Sequence, residues 1–296
     1  IFGFCDIRNF PAINEILQEK TMVFVNEISD IVHSSVDRHF GAANKNIGDA
    51  FLLVWKFSNN RNANKETLIE LDKKFGGKYI NCQSMADLAV LAYLKIIIRI
   101  NKDRRILAYM DHPGIKEKLP NYKVNMGFGL HLGWAIEGAV GSNFKIDASY
   151  LSPNVNMAAR LEAATRQYGV SLLISGQLFD FLSDDMKNIC RLIDIVEVKG
   201  SKVPLKLYTI DVNLDLKPSR KSYNLTLQQR IDMYLEKKKN IAKIMEEFEI
   251  SSILFTKKTY RELLKTNRPK KFKRLFKNGI QNYIDGYWDK ARKNLE

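Results

Sequence analysis

The chain is predicted to fold as an α/β sandwich followed by a basic helical extension. Short apolar runs alternate with long segments of helical periodicity, and 45% of the 296 residues are hydrophobic, which supports a large core. Strands and helices that alternate in this order indicate helices packed on one sheet, as in a ferredoxin-like core. Residues 213–296 contain 21 Lys and Arg against 10 Asp and Glu, so most of the net charge of +14 lies in the extension. We therefore predict one domain over 1–212 and a second over 213–296.

The first half of the core is predicted to contain a strand, a helix, a hairpin and a second helix. These are a strand over Ile1–Cys5, a helix from about Ala12 to His39, strands Lys45–Ile47 and Ala50–Trp55, and a helix from Ser84 to about Asp103. Gly48 and Asp49 form the hairpin turn, because glycine tolerates the positive φ that such a turn needs. Residues 58–82 look like an insertion, and residues 104–121 like an irregular connection.

The second half is predicted to add a hairpin, a third helix and three strands. These are strands Tyr122–Leu132 and Trp134–Val140 joined at Gly133, a loop over Phe144–Pro153, a helix from Pro153 to about Tyr168, strands Val170–Ile174, Arg191–Val198 and Leu205–Asp211, and a short helix near Gln177–Leu182. His131 and Trp134 are expected to be structural. In the extension, Leu225–Ile250 is predicted to be helical, and the last segment suggests one helix pair of a tetratricopeptide-like repeat.

Two acidic residues occupy positions of chemical interest. Asp6 interrupts an apolar strand, where an acid is costly unless it is paired or binds a metal. Asp49 sits on the predicted hairpin tip, where a rigid carboxylate suits a hard cation such as Mg²⁺. By itself, the second feature is more typical of an ordinary surface turn. Together, the two acids predict a site for one or two Mg²⁺ ions at neighbouring strand ends.

Four sequence blocks resemble the class III nucleotide cyclases, the adenylyl and guanylyl cyclase catalytic domain. The family's F-x-D-I strand matches Phe4–Ile7, and its K/E-x-I-G-D hairpin matches Lys45–Asp49. Its N-x-A-x-R-x-E helix matches Asn156–Glu162, and Val198–Gly200 is the fourth block. The blocks follow one another in the family's order, which makes the resemblance more specific than any one block. It covers about residues 1–212.

The resemblance implies an adenylate cyclase that converts ATP into 3′,5′-cyclic AMP and pyrophosphate. In such an enzyme Asp6, the Ile7 carbonyl and Asp49 would hold two Mg²⁺ ions, for which Mn²⁺ can substitute. One ion would activate the ribose 3′-hydroxyl and the other would neutralise the triphosphate. Lys199, with Lys202 as the competing candidate, would contact the triphosphate.

The resemblance also assigns residues to the ribose, the α-phosphate and the base. Asn156 would orient the ribose, and Arg160 would stabilise charge on the α-phosphoryl group. Lys45 and Ser149 would read the purine, and a lysine at the first of these positions favours adenine, since guanylyl cyclases usually carry Glu there. Because this family builds its site between two domains, we expect a homodimer or a heterodimer with a second cyclase domain.

One block departs from the family pattern. Before the N-x-A-x-R helix the family usually has a Gly-Asp-Thr-Val-like run, whereas this chain has Ser152-Pro153-Asn154-Val155. A changed loop here could lower or abolish turnover. The alternative interpretation is therefore a catalytically silent cyclase-fold module with a regulatory or assembly role, or a guanylate cyclase.

Composition limits the setting in which the chain works. Its three cysteines lie far apart and show no metal or disulfide spacing, which fits a reducing compartment. No apolar run reaches membrane length, so we expect a cytoplasmic chain or the cytosolic portion of a larger, possibly membrane-attached protein. No nucleic acid is expected as a partner, because no recognised module accompanies the basic charge. We expect the extension to dock to an acidic partner or a membrane surface, and its removal near Ser219 to leave the chemistry unchanged.

Overall fold

The computed structural model describes residues 1–57, 82–197, 203–218, 227–247, 253, 256–266 and 270–296. Within them, seven strands form one sheet and two more form a separate hairpin. The strands are β1 (Phe2–Ile7), β2 (Ala42–Ile47), β3 (Ala50–Val54), β4 (Met126–His131), β5 (Ile136–Gly141), β6 (Ile146–Leu151), β7 (Leu172–Ser175), β8 (Cys190–Val196) and β9 (Leu205–Ile210). The expectation of an α/β fold is confirmed.

The α-helices lie between these strands and in the extension. They are α1 (Phe10–Leu17), α2 (Thr21–Arg38), α3 (Cys82–Ile100), α4 (Arg104–Ala108), α5 (Pro113–Lys118), α6 (Pro153–Tyr168), α7 (Gly176–Phe179), α8 (Asp184–Ile189), α9 (Leu227–Glu247), α10 (Lys258–Leu264), α11 (Lys270–Ile284) and α12 (Trp288–Leu295). Among the described helices, none combines the length and hydropathy that a membrane crossing needs.

The large sheet has the order β2-β3-β1-β4-β7-β9-β8, so β1 lies in its interior. β1 is antiparallel to β3 and β4, and β4 is parallel to β7. The first strand continues past its predicted end at Cys5, so Asp6 and Ile7 belong to the strand and oppose Ala50 and Met126 respectively. The predicted β2–β3 hairpin is present, and Gly48 at its turn has a φ of 65°.

Helices cover both faces of this sheet, and the side chains of β1 point alternately to the two faces. Cys5 and Ile7 belong to the main core, which also contains α2 and α3. Phe2 packs on the other face, against Ala158 of α6. Gly3 lies directly under α3, where an added Cβ would come within 2.2 Å of the Tyr93 hydroxyl. The alternation therefore places Asp6 on the α6 face.

The expectation of a hairpin spanning 122–140 is wrong. β4 stays in the large sheet, while β5 pairs with β6 from Ile136 opposite Leu151 to Gly141 opposite Ile146. The segment predicted as a loop before the third helix therefore contains a strand. Consecutive strands usually pair, but here the chain leaves the sheet after His131. Trp134, expected to pack, is 66% exposed in that connection.

Two helical predictions also need correction. The single helix expected from Ala12 to His39 is divided into α1 and α2 by a 3-10 turn, and Gln18 has a φ of 48° at the break. No glycine or proline marks this position, so the break has no local signal in the sequence. The connection expected to be irregular contains α4 and α5, and the Asp103 side chain caps α4 by accepting from the Arg105 amide at 3.0 Å.

The extension packs against the core. Ile253, Tyr260 and Leu263 are buried within the main hydrophobic cluster, and α10 contacts α3. The predicted helix pair appears as α11 and α12, which pack together, and α11 also contacts β8. The first residues after the predicted domain boundary at 212 are described up to residue 218, and the predicted insertion at 58–82 lies outside the described residues except for its last residue. Truncation near Ser219 would remove buried core side chains, which changes our expectation for that variant.

Truncating one of these core side chains tests the packing. We expect Leu263→Ala to lower the free energy of unfolding by about 2–5 kcal/mol, because Leu263 is fully buried. Leu235→Ala is the matched control in α9, where the leucine is 49% exposed and the expected change is within about 0.5 kcal/mol. Urea unfolding followed by circular dichroism measures both, and equal effects would mean that α10 is not part of the core.

Candidate active site

The end of β1 and the β2–β3 turn bring two carboxylates together. Asp6 opposes Ala50, the residue that follows the turn, and the Ile7 amide donates to the Asp49 carbonyl at 3.3 Å. The Asp6 and Asp49 side chains are within hydrogen-bonding contact. Asp49, expected on an exposed tip, is only partly exposed. The two acids predicted to form one site are therefore neighbours.

The electrostatics of Asp6 reflect this crowding. Burial, the neighbouring Asp49 carboxylate and Glu162 raise the pKa of Asp6 from 3.8 to about 6, while Arg166 opposes the change. Arg166 of α6 donates to Asp6 Oδ2 at 2.8 Å. Ionisation of both carboxylates in such a contact is unfavourable unless a cation or a proton lies between them. The pair therefore has an excess of negative charge that a divalent cation would neutralise.

The residues present fit a hard divalent ion. Mg²⁺ prefers oxygen ligands and is usually held by one or two carboxylates together with water and substrate oxygens. Asp6 and Asp49 supply such carboxylates, and Ile7 supplies an adjacent backbone carbonyl. In the described part of the chain there is no group of three or more His, Cys, Asp or Glu that could hold a metal. An ion at this site would thus depend on ligand or water oxygens for the rest of its coordination.

Behind the carboxylates, a buried ion pair joins β1 to α6. Arg8 Nη1 lies 3.1 Å from Glu162 Oε1, and their side chains are 15% and 6% exposed. Arg8 also donates to the Thr165 hydroxyl. Gly127 leaves the space for this pair, since an added Cβ would come within 2.1 Å of Glu162 Oε1. Burial lowers the pKa of Arg8 and raises the pKa of Glu162, and each partner partly offsets the effect on the other.

Sequence reasoning did not assign a role to Arg8, Thr165 or Arg166. A signal was available, because Arg8 directly follows the first motif and Glu162 closes the third. Glu162, Thr165 and Arg166 also have the spacing of one helix face. What the sequence could not supply is the crossing of α6 over β1, which brings these residues together.

The predicted pair Asn156 and Arg160 lies on a different face of α6. Both residues are exposed, whereas Glu162 is buried at 4% exposure. Arg160 and Glu162 are two residues apart and so lie about 200° apart around the helix axis. The structure therefore places Asn156 and Arg160 together, facing away from the Asp6 and Glu162 side chains of the same chain.

The departure at Ser152-Pro153 still gives α6 a regular start. The Ser152 hydroxyl accepts from the Asn154 amide at 3.0 Å, as an N-cap does, and proline is favourable in the first turn. Asn154 Oδ1 lies 3.0 Å from His131 Nε2 at the end of β4, and His131 is buried. Burial lowers the pKa of His131, which fits the expected structural role.

The two predicted purine-reading residues lie near one another. Lys45 opposes Leu52, which also opposes Phe4, so Lys45 lies on the face of the sheet that carries Asp6. Ser149 is in the β5–β6 hairpin opposite Gly138. The Asn44 side chain donates to the Ala148 carbonyl at 3.3 Å, so the residues preceding Lys45 and Ser149 are in contact. Lys199 and Lys202 lie outside the described residues.

A family model and the related proteins of known function point to the same family. The family model for the adenylate and guanylate cyclase catalytic domain matches residues 2–212. The adenylate cyclase of Anabaena cylindrica is 26% identical over 209 residues, which is 70% of this chain and 36% of that protein. Adenylate cyclase 1 of Rhizobium meliloti (strain 1021) is 32% identical over 92 residues, 31% of this chain and 13% of that protein. The chain thus spans about a third or less of the length of these curated relatives.

Solved structures support the fold. A bacterial light-regulated adenylyl cyclase matches with a TM-score of 0.52 and 21% identity, covering 80% of this chain and 56% of that chain. The adenylyl cyclase CyaB from P. aeruginosa matches with a TM-score of 0.50 and 18% identity, covering 76% and 95%. At these identities the likeness is one of fold alone.

The raised pKa of Asp6 predicts how stability depends on pH. The folded protein keeps the Asp6 proton up to about pH 6, whereas an unfolded chain releases it near pH 3.8. The free energy of unfolding of the metal-free protein should therefore fall by about 1–2 kcal/mol through Asp6 as the pH rises from 4 to 6.5. This is less than the full pKa shift would give, because the carboxylate reaches solvent. Urea unfolding in EDTA should show a smaller loss over this range in Asp6→Asn than in the wild type.

The exposed Asp111 provides the control for this measurement. Its carboxylate is 80% exposed, so Asp111→Asn should keep the wild-type pH profile. If Asp6→Asn also keeps that profile, the pKa of Asp6 is not raised in the folded protein.

Proposed function

The chain belongs to the adenylate and guanylate cyclase catalytic domain family, and from this premise we propose that it is an adenylate cyclase. The substrate would be ATP, and the products 3′,5′-cyclic AMP and pyrophosphate. The observation that carries the proposal is the contact between Asp6 and Asp49. Burial and mutual repulsion make this carboxylate pair suited to bind divalent cations. The two Asp residues come from two separate family motifs and meet at one point of the fold.

The proposed reaction is an internal displacement at phosphorus. The ribose 3′-hydroxyl loses its proton to solvent, its oxygen forms a bond to the α-phosphorus, the bond from that phosphorus to the bridging oxygen breaks, and pyrophosphate leaves. Asp6, Asp49 and the Ile7 carbonyl would hold two Mg²⁺ ions. When bound, such ions lower the pKa of the 3′-hydroxyl and neutralise the triphosphate. Arg160 would donate to the α-phosphoryl oxygens as charge accumulates there, Asn156 would orient the ribose, and Lys199 would contact the triphosphate.

A complete site would need two chains. Asn156 and Arg160 face away from Asp6 on the same helix, so they are suited to serve the carboxylate pair of a second chain. A symmetric homodimer would contain two such sites, and a heterodimer with another cyclase domain would contain at least one. The β5–β6 region supports an association surface, since it exposes several large apolar side chains. These are Trp134, Ile136, Phe144, Ile146 and Leu151.

The regular start of α6 favours an active enzyme over a silent module. The silent alternative depended on the replacement of the family's loop by Ser152-Pro153. The Ser152 cap compensates for that change, because the helix that carries Asn156 and Arg160 still begins at Pro153.

The first test of the proposal is base preference. Lys45 is a donor only, so it can serve adenine N1, and the Ser149 hydroxyl can accept from the adenine amine. We expect ATP to be used at least about tenfold better than GTP, and Lys45→Glu to erode that preference. Cyclic nucleotide production from each triphosphate with Mg²⁺ or Mn²⁺ measures this, with Asp49→Asn as the inactive control. Preferred use of GTP would make the chain a guanylate cyclase, and no product from either would support the silent module.

The second test addresses assembly. Asp49→Asn and Arg160→Ala should each be nearly inactive alone, because each removes one half of every site. A mixture should regain up to about a quarter of wild-type activity, since half of the dimers are mixed and each of these has one intact site of two. Absence of recovery in a mixture whose subunits are shown to exchange, by fluorescence transfer between labelled chains, would contradict the homodimer.

A further inference from the structure

Five cationic side chains converge on the face of the sheet opposite α6, where α2 and α3 meet the extension. They are Arg38, Lys95, Arg99, Lys237 and Lys257. Lys95 is in α3 and is largely buried, and the charged groups that act on it most strongly are the other four. Two of these come from the core helices, one from α9 and one from the residue before α10. The cluster therefore lies at the junction of the core and the extension.

Among the described residues, the carboxylates near this cluster act on its two arginines: Asp30 and Asp37 on Arg38, and Asp30 and Asp103 on Arg99. Asp30 lies 3.9 Å from Arg99, and Asp37 pairs with Lys238 at 3.0 Å. Among the described residues, no carboxylate pairs with Lys95, whose ammonium instead lies 6.0 Å from the centre of the Tyr260 ring. Burial and the neighbouring cations lower the pKa of Lys95 to about 8. Partly buried cations that repel one another are costly unless an anion joins them.

The cluster is accessible from solvent and its deeper members are held in place. Lys237 and Lys257 are exposed, while Arg38, Lys95 and Arg99 are partly buried. Arg38 Nε donates to the Ser34 carbonyl at 2.7 Å, and Arg99 Nη1 donates to the Ser35 hydroxyl at 3.1 Å. An anion that enters between the exposed lysines would thus meet cations that are already oriented, which lowers the entropic cost of binding.

We propose that this cluster binds a phosphate-class anion, either inorganic phosphate or the phosphate group of a larger molecule. A phosphate group carries up to two charges and several acceptor oxygens, so it can satisfy both guanidinium and ammonium donors at once. Because the contributing residues come from α2, α3, α9 and the start of α10, the bound group holds the extension against the core. The site shares no residue with the carboxylate pair, so it stands or falls independently of the cyclase proposal.

Titration of the full chain with inorganic phosphate in EDTA tests the site. Calorimetry should show one phosphate per chain, and phosphate should raise Tm relative to chloride at equal ionic strength. Lys257→Gln should weaken binding about tenfold, the effect of one lost charge-assisted contact. Lys95→Met should fold, have a higher Tm than the wild type without phosphate, and lose most of the phosphate response, because it replaces a repelled cation by an apolar side chain.

Two control variants separate this site from general charge effects and from the candidate active site. Lys116→Gln removes an ammonium that is 62% exposed and paired with Asp111, so it should bind phosphate as the wild type does. Arg160→Ala removes a cation of the candidate active site and should also leave phosphate binding unchanged. Equal weakening by Lys116→Gln, loss of binding in Arg160→Ala, or no phosphate response in the wild type would overturn the proposal.

The pH dependence of binding gives a readout specific to Lys95. Affinity should fall between pH 8 and 9 in the wild type, because Lys95 loses most of its remaining proton over this range while phosphate is already almost entirely the dianion; the residual binding of Lys95→Met should lack this fall. His39, which also faces the cluster, has a pKa lowered to about 4 by burial and stays neutral throughout. A wild-type affinity that is unchanged to pH 9 would contradict the role of Lys95.

Two sources of the phosphate group can be distinguished in parallel. A soluble phosphate monoester, glycerol phosphate, is titrated by calorimetry. Vesicles of phosphatidylcholine with and without phosphatidic acid are tested by co-sedimentation. Binding of the monoester alone assigns the site to a soluble ligand, and sedimentation that depends on phosphatidic acid and on Lys257 assigns it to a lipid headgroup. The absence of both, with inorganic phosphate also inactive, would refute the site.

Discussion

The buried ion pair between Arg8 and Glu162 links the end of β1 to α6 where the helix crosses the sheet, and both halves of the candidate active site depend on that crossing. Burying two charges is costly unless they are paired, and here Thr165 is an additional partner of Arg8 while Gly127 leaves the space for the pair. Once α6 is fixed this way, its inner face meets Asp6 through Arg166. Its outer face then presents Asn156 and Arg160 to whatever lies beyond the chain.

The alternation of β1 separates the chemistry from the core. Cys5 and Ile7 fill the cluster beneath the sheet, while Asp6, between them, lies on the α6 side with Glu162 and Arg166. An acid inside an apolar strand is thereby tolerated, because its carboxylate reaches a polar layer and not the hydrophobic cluster. The same arrangement leaves Asp6 close enough to Asp49 for the Asp49 carboxylate to disfavour ionisation of Asp6. The site therefore has the electrostatic character that divalent cations neutralise.

The fold carries opposite charge imbalances on its two sides. The carboxylates lie on the α6 side, and the cations around Lys95 lie on the side covered by α2 and α3. The extension contributes to the second group and also supplies Tyr260 and Leu263 to the main core. Its basic charge is thus partly a feature of the core interface, in addition to any external partner that its outer surface binds.

The family, the order of the motifs and the short-range structure could be predicted from the amino-acid sequence. The Gly48-Asp49 turn, the start of α6 at Pro153 and the helix spacing of Asn156 and Arg160 all follow from local backbone and capping preferences. Tertiary structure alone decided the pairing of β5 with β6, the break at Gln18 and the partnership of Arg8 with Glu162. Each of these joins or shapes segments through packing between residues distant in the chain, for which a single sequence has no periodic or turn signal. The charge cluster around Lys95 has the same origin, since its cations become neighbours only when the extension packs on the core.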